Sequence, residues 1–114
     1  MRLAPHRFGR MDPVRPDYGG DAITSLIPAL VGGRPAPVMP RCVEGADAVV
    51  LLLLDGFGWQ AVEAHRSLLP ELAGLEGGPI TTVAPSTTAS ALTSLATGLA
   101  PSQHGLVGFR MRVG

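Results

Sequence analysis

Ala48-Val49-Val50-Leu51-Leu52-Leu53-Leu54-Asp55-Gly56-Phe57-Gly58 is the stretch on which the fold turns. Residues 48–54 are apolar without polar alternation, the pattern of a strand covered by helices on both faces of a parallel sheet. The run is far shorter than the about 20 residues that cross a bilayer. Downstream, residues 59–67 are expected to form a helix, and Pro70 suits the first turn of a second short helix running to Leu75. Gly77-Gly78-Pro79 makes a turn, and the β-branched run 80–83 is predicted as a second strand. After Ala84-Pro85-Ser86-Thr87-Thr88 comes a helical pattern with Ala89, Leu92, Ala96 and Leu99 on one face, ended by Gly98 and Pro101. Strand, helix, strand, helix in this order predicts a layered α/β fold with parallel strands and flanking helices.

Upstream the texture differs. Seven of the 11 prolines fall in the first 40 residues and four of the nine arginines in the first 15, a composition suited to an extended arm. Within it Ile23, Leu26, Ile27, Leu30 and Val31 recur at helical spacing up to Gly32-Gly33, with Pro28 inside the pattern, so a short, kinked or divided helix is expected. The predicted division is an arm over 1–46 and an α/β unit over 47–114.

Composition removes several functions. Nine basic and nine acidic residues give a net charge of +0 over 114 residues, with no electrostatic excess to draw nucleic acid or an acidic membrane. A hydrophobic share of 46% excludes a disordered chain. Every basic residue counted is Arg; without lysine the chain has no Schiff base and no Walker-type phosphate lysine. Cys42 is the lone cysteine, so no internal disulfide or Cys-based zinc site can form, and it reads as a small apolar residue entering a strand. With no apolar signal core near Met1 and no spanning segment, a soluble, cytoplasmic protein is expected.

Chemistry concentrates after the two expected strands, since ligands of open parallel sheets collect at the carboxyl ends of strands. A carboxylate leaving an apolar strand needs a cation or several donors, so Asp55 asks for a metal or dense hydrogen bonding, unless it is a turn or cap aspartate. Thr88 opens a helix, where free N–H groups and the dipole favour an anion such as phosphate. Ser86, Thr87 and Thr88 are each also ordinary N-cap candidates.

Three segments together carry a resemblance: Val49 to Phe57 with its Asp55-Gly56, Ala84-Pro85-Ser86-Thr87-Thr88, and Thr97-Gly98-Leu99-Ala100-Pro101-Ser102-Gln103-His104-Gly105. In this order and spacing the sequence from Asp47 onward resembles the alkaline phosphatase superfamily, in particular its type I phosphodiesterase and nucleotide pyrophosphatase branch. The resemblance implies a metal-dependent phosphoric ester hydrolase acting on a small phosphate ester. It implies that Asp55 is a ligand of one divalent metal, that Thr88 is the nucleophile bound to that same metal, and that the complete enzyme holds two zinc ions. Metal coordination would favour the threonine alkoxide, and the second metal would activate the water that hydrolyses a phosphothreonine intermediate.

The resemblance departs at Phe109, where the nucleotide pyrophosphatases have an Asn that helps hold the phosphoryl oxygen. His104 in the His-Gly signature reads as structural or loop-lining, because the family's zinc histidines come later in the chain. His6 and His65 lie outside the ligand motifs. The chain is therefore expected to be the N-terminal part of a longer enzyme, too poor in ligands to bind zinc tightly or turn over a diester alone, and prone to self-associate through an exposed sheet edge. Competing readings are an inert or regulatory domain, a dinucleotide-binding unit from Gly56-Phe57-Gly58-Trp59-Gln60-Ala61, and a haloacid dehalogenase-like phosphatase. The dinucleotide reading sets Asp55 against a pyrophosphate of like charge, and the dehalogenase reading needs an Asp where Phe57 stands.

Overall fold

Residues 13–32 and 36–110 are described by a computed structural model of the chain. Its helices are α1 (Leu26–Gly32), α2 (Trp59–Ala64), α3 (Pro70–Ala73), α4 (Thr88–Thr97) and α5 (Pro101–His104), with 3₁₀ turns at Ile23–Ser25, Arg41–Val43 and Arg66–Leu68. The divided helix expected around Pro28 is the 3₁₀ turn running into α1. Pro28 is the third residue of α1, where no intrahelical N–H is required, so the ring breaks nothing. Pro70 opens α3 and Pro101 opens α5, each at a first-turn position that wastes no donor. The expected helix over 59–67 is realised as α2 followed by the 3₁₀ turn at Arg66–Leu68.

The parallel α/β sheet is not there. Among the described residues there is no strand, and the one β feature is an isolated parallel bridge between Ala22 and Thr81. The Thr81 N–H donates to Asp21 O at 2.8 Å and the Ile23 N–H to Thr81 O at 3.0 Å. Around that bridge the Asp17 N–H donates to Thr81 Oγ1, the Thr81 hydroxyl to Asp21 O, and the Ala84 N–H to the Tyr18 hydroxyl. The segment expected as a second strand thus pairs with the chain before α1 and not with 48–54.

Residues 48–54 themselves are irregular, with Val50 93% and Leu52 77% exposed. An apolar run fixes a preference for extended, buried backbone, but a strand exists only when a neighbouring chain accepts its N–H and C=O groups. No described segment does so. Cys42, expected at a strand entrance, is exposed within the 3₁₀ turn Arg41–Val43.

The packed centre is small and lies under α4. Ala22, Ala29, Val83 and Leu95 are the buried apolar residues, joined by buried Thr24, Ser90 and Ser94. The buried face of α4 is therefore the Ser90/Ser94/Leu95 face. The apolar stripe read from the sequence is turned outward, with Leu92 43% and Leu99 41% exposed. Small residues win because α4 approaches α1 closely. A Cβ on Gly98 would lie 2.4 Å from Pro28 Cγ and 3.3 Å from Thr24 O.

The part of the arm over 1–12, which includes His6, and the last four positions, 111–114, lie outside the described residues. The described part of the arm packs on α4 through the 3₁₀ turn and α1. No helix among the described residues is long and apolar enough to cross a membrane.

Candidate functional site

Asp55 sits in the turn that ends the apolar segment. The Phe57 N–H donates to Leu54 O at 3.3 Å, and Gly56 takes φ +71°, a value L side chains rarely adopt and a turn of this kind needs at its third residue. The Asp-Gly pair is thus a local device that re-aims the chain and swings out a carboxylate. α4 starts 33 residues later, with Thr87 as its N-cap at φ −66°, ψ 148°. The Thr87 hydroxyl caps no N–H and donates to Val107 O at 3.3 Å. The helical ladder begins with the Ala91 N–H on Thr87 O at 2.8 Å, which leaves the N–H groups of residues 88–90 without intrahelical acceptors.

The two residues singled out in the sequence meet. The Thr88 hydroxyl donates to Asp55 Oδ2 at 3.3 Å, at an exposed position on the N-terminus of α4. They do so without the adjacent parallel strands expected to carry them. Thr87 commits its hydroxyl elsewhere, so of the two adjacent threonines it is Thr88 that faces the carboxylate. His65, at the end of α2, makes no hydrogen bond to either residue. Phe109 is 93% exposed. Surface hollows of about 580 and 550 Å³ are lined from residues 19–32, residues 36–49 and Gly98, and neither is lined by Asp55 or Thr88.

A hydroxyl donating to a carboxylate normally comes to about 2.5–2.7 Å. The observed 3.3 Å is long for that bond. No group of three or more His, Cys, Asp or Glu gathers around a common point among the described residues.

Sequence reading missed a second constellation. Ser94 Oγ lies 2.8 Å from His104 Nε2, and the Leu106 N–H donates to His104 Nδ1 at 3.0 Å. The available signals were a serine at each of positions 90 and 94, one helical turn apart, and the fixed spacing from Thr97-Gly98 to His104. An apolar-periodicity reading passes over both.

Residues 49–113 match the family model of the type I phosphodiesterase / nucleotide pyrophosphatase family, more than half of the chain, and the chain belongs to that family. No curated protein and no solved structure matches it. The strand-turn-helix unit that a dinucleotide fingerprint requires is absent among the described residues, since 48–54 is unpaired and α2 spans only Trp59–Ala64.

Proposed function

We propose that this chain carries the nucleophile side of a metal-dependent phosphoric ester hydrolase, with Thr88 as nucleophile and Asp55 and Thr88 as ligands of one divalent metal, zinc by resemblance. The observation that supports this most is the 3.3 Å Thr88 Oγ1–Asp55 Oδ2 contact at the start of α4, set beside the family membership. A bound divalent cation would lower the cost of the threonine alkoxide. Thr88 Oγ1 then forms a bond to phosphorus while the bond from phosphorus to the leaving oxygen breaks and that oxygen takes a proton. Water cleaves the resulting threonine phosphate ester and restores the hydroxyl. The first N–H groups of α4, at Thr88 and Ala89, and the positive end of the helix would stabilise the charge that builds on the phosphoryl oxygens. The substrate class is a small phosphodiester or pyrophosphate.

The test is hydrolysis of a chromogenic phosphodiester with added zinc by a protein that joins residues 1–114 to the remaining metal ligands, since two donors alone are expected neither to hold zinc tightly nor to turn over. Thr88→Ala is expected to lose turnover by at least about 10³-fold and Thr88→Ser to keep part of it, because serine retains the hydroxyl. Near-normal hydrolysis by Thr88→Ala would sink the assignment. Asp55→Asn is expected to weaken zinc retention as well as turnover, which equilibrium dialysis reads independently of rate.

A further inference from the structure

His104 and Ser94 bear on the same site from a distance. Nδ1 of His104 accepts the Leu106 N–H, so its lone pair is in use and a neutral ring must carry its proton on Nε2. Nε2–H then donates to Ser94 Oγ, which is fully buried on the inner face of α4. This polarity excludes a Ser–His nucleophile pair, in which the imidazole would have to accept from the serine. It makes the histidine a fixed strut between the middle of α4 and the loop after α5.

That loop has a second attachment. Val107 O accepts the Thr87 hydroxyl at the N-terminus of α4. Gly105, in the left-handed region at φ +77°, ψ −2°, turns the chain after α5, and the Leu106 N–H returns to the His104 ring. The chain after α5 is thus held to α4 at two points, to Ser94 through His104 and to Thr87 through Val107, and moving the first attachment shifts what is presented at the second.

We propose that His104, as its neutral Nε2–H tautomer bonded to Ser94, is a positioning residue that sets the register of loop 105–109 along α4 and holds Val107 against Thr87, next to Thr88. The loop then forms one wall of the Thr88 site and orients a bound phosphate ester without touching the reacting atoms. The functional half of this statement rests on the hydrolase reading above, whereas the register itself does not.

The experiment uses the chain of residues 1–114 labelled with ¹⁵N, as wild type, Ser94→Ala, His104→Gln and His104→Asn. Long-range imidazole spectra of the wild type should give the Nε2–H pattern. Ser94→Ala should quicken exchange of the Leu106 amide by about fivefold or more, the effect of one lost hydrogen bond. It should also move the Val107, Thr87 and Thr88 amide signals while those of Asp21 and Thr81 at the bridge stay in place. His104→Gln keeps a donor for Ser94 and loses the acceptor for Leu106, and His104→Asn does the reverse, so each should move Val107 and neither should restore it. An Nδ1–H tautomer, or Val107 and Thr87 signals unmoved in Ser94→Ala, would overturn the proposal. A Ser94→Ala chain perturbed equally at the bridge and at the loop would overturn it too, since that is general loosening and not loss of register. In a protein that joins this chain to the remaining metal ligands, the register predicts a several-fold higher KM for Ser94→Ala at a nearly unchanged kcat. If Thr88→Ala stays active, the hydrolase reading fails while the spectra still decide the register.

Discussion

Ser90 is fully buried in α4 and its hydroxyl has no hydrogen-bond partner. One turn on, Ser94 is equally buried but shares a hydrogen bond with His104 Nε2 at 2.8 Å, so two chemically identical side chains carry opposite signs in the energy balance. An unpartnered buried hydroxyl costs about 1–3 kcal/mol of desolvation. Alanine at 90 keeps the close approach to the chain before α1 and is also the better helix former. Ser90→Ala is therefore expected to raise the unfolding free energy by about 1 kcal/mol, read in urea melts, while Ser94→Ala lowers it by a similar amount through the lost partner of His104. A Ser90→Ala variant that loses stability instead would show that its hydroxyl is satisfied in solution. Asp55 and Thr88 were legible at this scale because each belongs to a local pattern, an Asp-Gly turn and a helix start. The Ser94–His104 link was not, because it depends on which face of α4 is turned inward.

At the scale of elements, Gly98 decides how α4 ends and what it can pack on. It takes φ +72° as the C-cap of α4, and its N–H closes on Ser94 O at 2.9 Å. Thr97 completes the stop, donating to Thr93 O and accepting the Leu99 N–H. The position is constrained twice, by the left-handed backbone and by the Pro28 ring, which a Cβ would meet at 2.4 Å. Gly98→Ala is expected to cost about 2–4 kcal/mol, the sum of a left-handed penalty and overpacking. Gly45→Ala separates the two contributions, because Gly45 has φ +73° with nothing within 4 Å and should cost only about 1–2 kcal/mol. Equal losses at the two positions would remove the packing argument.

The helices and their stops were readable in advance for the same reason: prolines at first-turn positions, Gly98 at a C-cap and hydroxyl residues at a start act within a few residues of themselves. The strands were misread because pairing is non-local. Residues 80–83 found Ala22 through one bridge, and 48–54 found no described partner. The inner face of α4 was misread because periodicity ranks residues by apolarity, whereas a close helix contact selects serine and glycine.

For the molecule as a whole, the decisive feature is the mismatch between a small packed centre and a long apolar segment open to solvent. Residues 48–54 contain no charge and no proline, are wholly apolar, and expose Val50 at 93% and Leu52 at 77%. These are the properties of a segment that pairs with another chain. A net charge of +0 adds no long-range repulsion to oppose contact. Each Val or Leu side chain buried on pairing contributes about 1.5–3 kcal/mol, so a few of them per chain outweigh the cost of bringing two chains together. Self-association through 48–54, the segment whose exposed face and edge were expected from the sequence to associate, is the predicted behaviour of residues 1–114 at micromolar concentration, with an irregular segment in place of a strand edge. Val50→Lys with Leu52→Lys places two charges on alternate positions of the extended segment, and sedimentation should then shift toward monomer. Leu68→Lys changes a residue that is 75% exposed in the 3₁₀ turn Arg66–Leu68 and should leave the distribution unchanged. Sulfate separates the forces, since it strengthens apolar burial, whereas added sodium chloride weakens contacts between exposed charges. Association that sulfate promotes and that the 50/52 pair abolishes assigns the contact to this segment; association that persists in the double variant would assign it elsewhere.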